Sequence, residues 1–386
     1  MSDSRRNVMV LASHGPSLVN FRRALIEGLV ARGARVVAAA PLAEVPASHR
    51  TELEALGAVV IDLPVHRHGL GVFGNLAYLA RVRAAIRRHG VDAVVSYTAK
   101  PVIFGTFAAR LSGVKRIVPI ISGLGSIFTG EPKSVRARAL RGVTAFLYRS
   151  ALRLTTVVFF QNPDDPRDLA AMGGLAPATP RRLMPGSGVD LARFSAQPLP
   201  SAEGGIVFLM IARLLADKGV REFVEAARSV SEKGLPARFV LVGDLDTNPT
   251  AISMAEARGW TWIDYQGAKE DVRPALAAAH VFVLPSYREG TPRSVLEALA
   301  TGRAVITTDA PGCRETVVDG ENGLLVPPRE SAPLAAAMER FIAEPALIAL
   351  MGRNGRALAE AKFDAAYAHN GVIDAVMSDG CVAVSE

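Results

Sequence analysis

Short, nearly unbroken apolar runs alternate along the whole chain with longer stretches of helical period. In the first half, residues 8–13, 35–40, 59–63, 93–97, 117–121 and 157–161 read as strands. In the second half, 207–212, 239–243, 262–266, 281–284, 304–308 and 323–326 do the same. Helical patterns fill most of the gaps, among them 21–32, 76–89, 220–233 and 334–343. A strand that is apolar at every position is buried on both faces, and a βαβα rhythm supplies the helices that cover them. The rhythm occurs twice, broken by the proline- and glycine-rich stretch 194–205. The pattern predicts an α/β chain of two doubly wound, parallel-sheet, Rossmann-like domains, 1–193 and 204–362. A C-terminal helix and tail over 363–386 is expected to cross back to the first domain. Ligands of such pairs bind in the cleft where the domains face each other.

Composition supports this picture and narrows the surroundings. Apolar residues make up 49% and charged residues 21% of 386, as in a globular chain with room for two cores. No run approaches the roughly 18 apolar residues of a spanning helix, and residues 8–12 after Arg5 and Arg6 are too few for a signal-peptide core. Two cysteines, Cys313 and Cys381, give neither a disulfide framework nor metal-ligand spacing, so a reducing cytoplasmic setting is expected. The net charge of +7 is unevenly spread. Residues 1–195 hold 26 Lys/Arg against 12 Asp/Glu, and 196–386 hold 18 against 25. The first half is therefore suited to an anionic surface or polyanion.

The densest chemistry lies in residues 285–297. Here Glu289 and Glu297 stand eight residues apart around a strand-to-helix turn. Thr291 is placed to cap the helix, with Pro292 at its first position. The amides of Gly290 and Thr291 are expected to be exposed at such a turn, where they would suit a phosphate. A carboxylate there would repel one, so Glu289 and Glu297 are better matched to sugar hydroxyls. Arg213, at the end of the 207–212 strand, and Lys218, beside Gly219, are placed to hold a diphosphate. Asp244-x-Asp246, with Asn248 and Pro249, reads as a turn rather than a metal pair. The dinucleotide fingerprint G-x-G-x-x-G is absent, since Gly123-Leu-Gly125 supplies only its first two glycines, and no Walker A lysine motif occurs.

In the first half, His14, Gly15, Asn20 and Arg22 follow the first strand. Gly15 permits close backbone approach, while Asn20 and Arg22 offer polar contacts. Two further strand-end loops, Tyr97–Lys100 and Ser122–Gly125, lie on the same side, and Lys100 is a candidate for an anionic acceptor. Residues 133–153 contain six basic and no acidic side chains besides Leu140, Val143, Phe146 and Leu147. As a helix, this segment either lies on an anionic membrane or turns its apolar stripe to its own sheet.

Glu289-x7-Glu297 with Arg213 and Lys218 upstream resembles the retaining glycosyltransferases of family 4, which have the GT-B fold. The resemblance spans essentially the whole chain and is densest over 243–328. The segments 243–249, 286–292 and 311–317, with 19–22 and Lys100-Pro101, are similar to the bacterial subgroup that extends undecaprenyl-diphosphate-linked sugars. The resemblance implies a metal-independent transfer of a hexose or N-acetylhexosamine from a UDP-sugar to a polyprenyl-diphosphate-linked saccharide. It implies no cofactor, since the UDP-sugar is a substrate, and no metal site. Glu289 would hold the donor sugar, Glu297 the ribose, and Arg213 and Lys218 the departing diphosphate. Gly15, Asn20, Gly290, Thr291, Pro292, Arg293 and Ser294 complete the implied donor site; Tyr97, Lys100, Gly123 and Gly125 are the implied acceptor residues. The implied location is the cytoplasmic face of the plasma membrane, held peripherally by the basic first domain. One departure is that a first-domain cleft histidine of many relatives has only imperfect counterparts in His14 and His89. Alternatives are a GT-B-fold UDP-sugar epimerase, or a non-catalytic module binding anions or nucleic acid. The basic residues lack the aromatic interleaving of single-strand binders, so nucleic acid is not expected as a partner.

Overall fold

The apolar runs of the first half pair into a seven-stranded sheet in the computed structural model, which describes residues 5–65, 71–125, 134–246 and 250–378. The strands are β1 (Asn7–Leu11), β2 (Arg35–Ala40), β3 (Val59–Asp62), β4 (Ala93–Tyr97), β5 (Arg116–Ile121), β6 (Val158–Phe160) and β7 (Arg181–Leu183). Their order is β3-β2-β1-β4-β5-β6-β7 and every pairing is parallel, with Leu11 opposite Ala39 on one side and Ser96 on the other. Alternate residues of one strand feed different cores. Val8 and Val10 pack with Leu25, Ile26 and Leu29, whereas Met9 and Leu11 pack with Tyr78, Val82 and Ile86. Burial on both faces is why these strands carry no polar alternation. The helix Asn370–Met377 returns to this sheet and adds Val372, Ile373 and Val376 to the first of those cores.

The second sheet holds β8 (Ile206–Ile211), β9 (Ala237–Val242), β10 (Asp264–Tyr265), β11 (Val281–Leu284), β12 (Ala304–Thr308) and β13 (Gly323–Val326). It is again wholly parallel, in the order β10-β9-β8-β11-β12-β13. The helices Val220–Glu232, Arg293–Ala300, Ser331–Ala343 and Ala346–Lys362 cover it. The chain divides into two compact units: the described parts of 1–187 with 366–386, and 188–365. The stretch 194–205 belongs to the second unit, where Phe194 is core and the Arg303 guanidinium donates to the Gln197 and Pro198 carbonyls. Arg303 is buried, which pulls its pKa down to about 10.

Each sheet reverses its strand order once, between β1 and β4 and between β8 and β11. Loops leaving the carboxyl ends of strands at such a reversal splay apart and leave room for a ligand. The observed elements depart from the sequence pattern at a few points. The first helix starts at Pro16, five residues earlier than its apolar period announces. The strand expected over 262–266 shortens to two residues, and β7, with the sequence Arg-Arg-Leu, was not expected at all. No helix among the described residues is long and apolar enough to cross a membrane.

Candidate functional site

In the second unit, the β8 and β11 ends are locked together by backbone contacts that only glycine permits. Gly219 is left-handed (φ 73°), and a Cβ there would stand 2.0 Å from the Pro285 carbonyl oxygen. Asp217, in the 3-10 turn Ala216–Lys218, accepts through its carbonyl from Ser286 Oγ (3.0 Å) and the Tyr287 amide (2.9 Å). From the other side, Gly312 (φ 82°) lies so close that a Cβ would meet the Glu289 carbonyl oxygen at 2.2 Å. The Glu289 amide donates to the Pro311 carbonyl at 2.9 Å. Thr307 Oγ1 donates to the Leu284 carbonyl and Thr308 Oγ1 to that of Ser286, so the turn is held from below as well. Glu289 thus sits in a short loop clamped between two neighbouring strand-end loops.

The charges expected at this edge are present, and they are paired. Lys218 Nζ lies 2.5 Å from Glu289 Oε1, with both side chains largely buried. Arg213 Nη1 lies 2.5 Å from Asp246 Oδ2, and Arg293 Nε 2.8 Å from Glu297 Oε1. Burial of Glu297 pushes its carboxyl pKa up despite the opposing pull of Arg293 and Arg193. Gly290 and Pro292 are buried, while Thr291, Arg293 and Ser294 are partly exposed. The expectation that Thr291 caps the helix is corrected. The helix runs Arg293–Ala300, Pro292 occupies the capping position with an extended backbone, and no side-chain hydrogen bond from Pro292 caps it. The extended backbone of Pro292 itself (φ −71°, ψ 110°) moves the first helical residue to Arg293.

Asp244 accepts from the Leu245 amide, as turn aspartates do, and Asp246 is engaged by Arg213. Asn248 and Pro249 lie outside the described residues, as do Lys133 and Cys381. Among the described residues, no three His, Cys, Asp or Glu side chains converge as a metal-binding group. Cys313 is buried beneath the turn, and its thiol is pushed up to about 12 by burial and by Glu289. The sequence pattern missed Tyr287, whose hydroxyl donates to Glu222 and whose ring lies under the Arg329 guanidinium at 4.8 Å.

In the first unit, the predicted residues separate into those that line loops and those that support them. Lys100 is partly buried, which lowers its pKa, and it leads into the π-helical turn Pro101–Gly105. Gly123 (φ 103°) and Gly125 (φ 76°) shape the loop after β5. Asn20 is exposed on the helix Pro16–Ala31. Gly15 is buried, and the close approach it permits is to the protein itself, for a Cβ would meet Val45 Cγ2 at 2.0 Å. Tyr97 is buried, its hydroxyl 2.9 Å from Ser17 Oγ and its ring 4.6 Å from the Arg22 guanidinium. Burial drives the Tyr97 pKa up to about 12. Tyr97 and Arg22 therefore support the loops from beneath. His89 ends the helix Val72–Arg88 near Asp92, whose carboxylate accepts from the Asn7 amide. This is the opposite edge of the sheet from the loops, so His89 is not a site histidine.

Two doubly wound parallel sheets with a charged strand-end turn in the second are the architecture that GT-B-fold proteins share. Comparison with known proteins makes the family specific. Residues 19–186 match the model of the glycosyl transferase 4-like domain and 205–344 that of glycosyl transferases group 1. The chain belongs to these glycosyltransferases. It is 28% identical over 358 residues (89% of this chain, 91% of the other) to the N,N'-diacetylbacillosaminyl-diphospho-undecaprenol alpha-1,3-N-acetylgalactosaminyltransferase of Campylobacter jejuni. It is 24% identical over 315 residues (76% and 77%) to the UDP-Gal:alpha-D-GlcNAc-diphosphoundecaprenol alpha-1,3-galactosyltransferase of Escherichia coli. Among solved structures, Anabaena HepE in complex with UDP and glucose superposes with a TM-score of 0.74 at 19% identity, covering 96% of this chain and 99% of that one. The lipopolysaccharide glycosyltransferase WaaG gives 0.70 at 18%, covering 96% and 100%.

Proposed function

We propose that this protein transfers a hexose or N-acetylhexosamine, with retention, from a UDP-sugar to a saccharide carried on a polyprenyl diphosphate, in the assembly of surface polysaccharide or glycan. The Lys218–Glu289 pair in the clamped β11 turn carries this reading. A diphosphate arriving at the edge of the second sheet would draw Lys218 from Glu289 and Arg213 from Asp246, since it offers more negative charge than either carboxylate. Glu289, released from Lys218, would then accept hydrogen bonds from the donor sugar, and Glu297 from the ribose, with the amides of Gly290 and Thr291 facing the phosphates. Pro292, Arg293 and Ser294 shape that turn. As the bond from the anomeric carbon to the phosphate oxygen breaks, the growing charge on the leaving diphosphate meets two preplaced cations. Such electrostatic stabilisation needs no metal ion in the reacting centre. The acceptor hydroxyl bonds to the same face of the anomeric carbon, and its proton passes to the leaving phosphate oxygen.

The first unit suits the acceptor. Lys100, partly desolvated, would regain charge stability beside the acceptor's diphosphate, and the left-handed Gly123 and Gly125 follow the neighbouring strand β5. Its surface also fits an anionic bilayer, which supports a peripheral membrane location. The helix Val135–Leu152 packs through Thr144, Ala145, Tyr148, Ala151 and Leu152, while Val135, Leu140, Val143 and Phe146 stay exposed beside Arg136 and Arg138.

The test is a panel of UDP-sugars offered with a short-chain prenyl-diphosphate-linked N-acetylhexosamine, with product mass and released UDP as readouts. Transfer by the native chain and its loss in Glu289→Ala and Lys218→Ala variants is the expected result. Full activity in both variants would sink the site assignment. Sugar conversion without acceptor would replace transfer by epimerisation.

A further inference from the structure

Arg22 lies on the buried stripe of the helix Pro16–Ala31, between Leu18 and Leu25, and is 1% exposed. Its guanidinium reaches four segments of the first unit. Nη2 donates to Ser122 Oγ at 2.9 Å, Nη1 donates to Ser187 Oγ at 2.9 Å and lies 3.5 Å from His369 Nε2, and the plane covers the Tyr97 ring at 4.6 Å. Ser122 is the root of the loop carrying Gly123 and Gly125, and Tyr97 is the root of the loop carrying Lys100. A single buried side chain therefore touches the base of both loops read above as acceptor-binding.

The second of these loops is held in a conformation it would not choose alone. Thr98 adopts φ 68°, a left-handed backbone that a β-branched residue resists. After Ala99 and Lys100 comes the π-helical turn Pro101–Gly105, another geometry that persists only where its surroundings impose it. Several contacts hold Thr98 in place, the pairing of Tyr97 opposite Ile120 of β5 among them. The Thr98 hydroxyl lies 2.7 Å from Ser13 Oγ, its carbonyl accepts from the Val102 amide, and the residue before it, Tyr97, is fixed by Arg22 and Ser17.

We propose that Arg22 is a positioning residue for the acceptor: by holding Tyr97 and Ser122 it keeps the strained Thr98 turn and the Gly123–Gly125 loop in the geometry that presents Lys100 to a phosphate. The proposal rests on the acceptor reading of these loops. Arg22 itself reaches no substrate. Loss of its bonds lets both loops relax, and loops displaced by an ångström bind their ligand poorly while the donor side in the other unit is untouched.

The experiment measures KM separately for a short-chain prenyl-diphosphate-linked N-acetylhexosamine and for the UDP-sugar that the donor panel shows to be turned over. Arg22→Met should raise the acceptor KM by about tenfold or more and leave the donor KM unchanged. Arg22→Lys, which keeps the charge but cannot span Ser122 and Ser187, should fall between. Ser122→Ala removes one bond only and should move the acceptor KM in the same direction by a smaller factor; it carries the test should Arg22→Met fail to fold. Donor and acceptor KM rising together, or a lower thermal midpoint with neither KM changed, would reduce Arg22 to a core residue. Lys100→Ala separates the two layers. An unchanged acceptor KM in that variant overturns the acceptor reading and the proposal with it. A raised KM there, with Arg22→Met and Ser122→Ala both unaffected, overturns the proposal alone.

Discussion

Lys218 and Glu289 neutralise each other at 2.5 Å across the ends of β8 and β11, so the ammonium read as a diphosphate ligand is already bound to the carboxylate read as a sugar ligand. The pair gives two variants effects of opposite sign on nucleotide affinity. Lys218→Met removes a charge-assisted contact to the diphosphate and should weaken UDP binding by about 10- to 100-fold. Glu289→Gln removes the competitor for Lys218, so UDP alone should bind as tightly as before or more tightly. Turnover should nevertheless fall steeply, because the sugar hydroxyls then meet a neutral amide in place of a charged hydrogen-bond acceptor. Calorimetric UDP affinity set beside kcat checks both. Weaker UDP binding in Glu289→Gln would contradict the competition.

The clamp around Glu289 depends on Gly312. A Cβ at this position would meet the Glu289 and Gly290 carbonyl oxygens at 2.2 and 2.6 Å, on a backbone with φ 82°. Overpacking against backbone adds to the left-handed penalty, so Gly312→Ala should cost about 3–4 kcal/mol in unfolding free energy and abolish most activity. Gly234 has a similar φ of 66°, and a Cβ there would meet nothing within 4 Å. Gly234→Ala should therefore cost only about 1–2 kcal/mol and leave kcat alone. Denaturant unfolding of the two variants, side by side, isolates the contact from the conformation.

Much of this architecture is legible in the chain because each central strand is buried on both faces and so spells an apolar run. The run 281–284 and its sequel 285–297 gave both the β11 strand and the turn that follows. What escaped depends on partners distant in sequence. β7 is three residues, two of them arginine, and exists because β6 offers it an edge. Asp246 looks like any turn aspartate until Arg213, 33 residues away, is placed against it. Arg22 did leave a local trace, a cation at a core position between Leu18 and Leu25. Apolar periodicity marks such a position as buried without saying which hydroxyls, from residues 122 and 187, arrive to meet it.

Glu297 links stability to pH. Burial raises its folded pKa above the ordinary 4.5, and Arg293 only partly offsets this. Between 4.5 and the raised value, the folded protein retains a proton that the unfolded chain has released. The contribution is thus full below the ordinary value and is lost as pH rises through the folded one. Glu297→Gln removes the titration. Thermal midpoints of the native chain relative to this variant should therefore decline as pH rises from 4.5 towards neutrality, and the variant should lose UDP-sugar turnover while keeping its fold. A native-to-variant difference that grows with pH would show the carboxylate to be net stabilised instead.

The helix Val135–Leu152 supplies the last prediction, because its apolar residues divide between two directions. Arg141 lies against Met172 and Arg149 points to the Gly173 carbonyl, so both are tied to the unit's own surface, whereas Arg136 and Arg138 are exposed. Phe146 is 67% and Val143 50% exposed, on a helix whose sheet-facing side is already filled by Tyr148 and Leu152. A bilayer could gain about 1.5–3 kcal/mol from burying each apolar side chain and about 1 kcal/mol from each cation near anionic lipid. Flotation with vesicles containing phosphatidylglycerol should therefore drop strongly in a Phe146→Ser, Val143→Ser variant. It should also drop in Arg136→Glu, Arg138→Glu, but only at low salt, because the cations are screened and the apolar contacts are not. Binding that survives both pairs of substitutions would move the membrane contact to another face of the first unit.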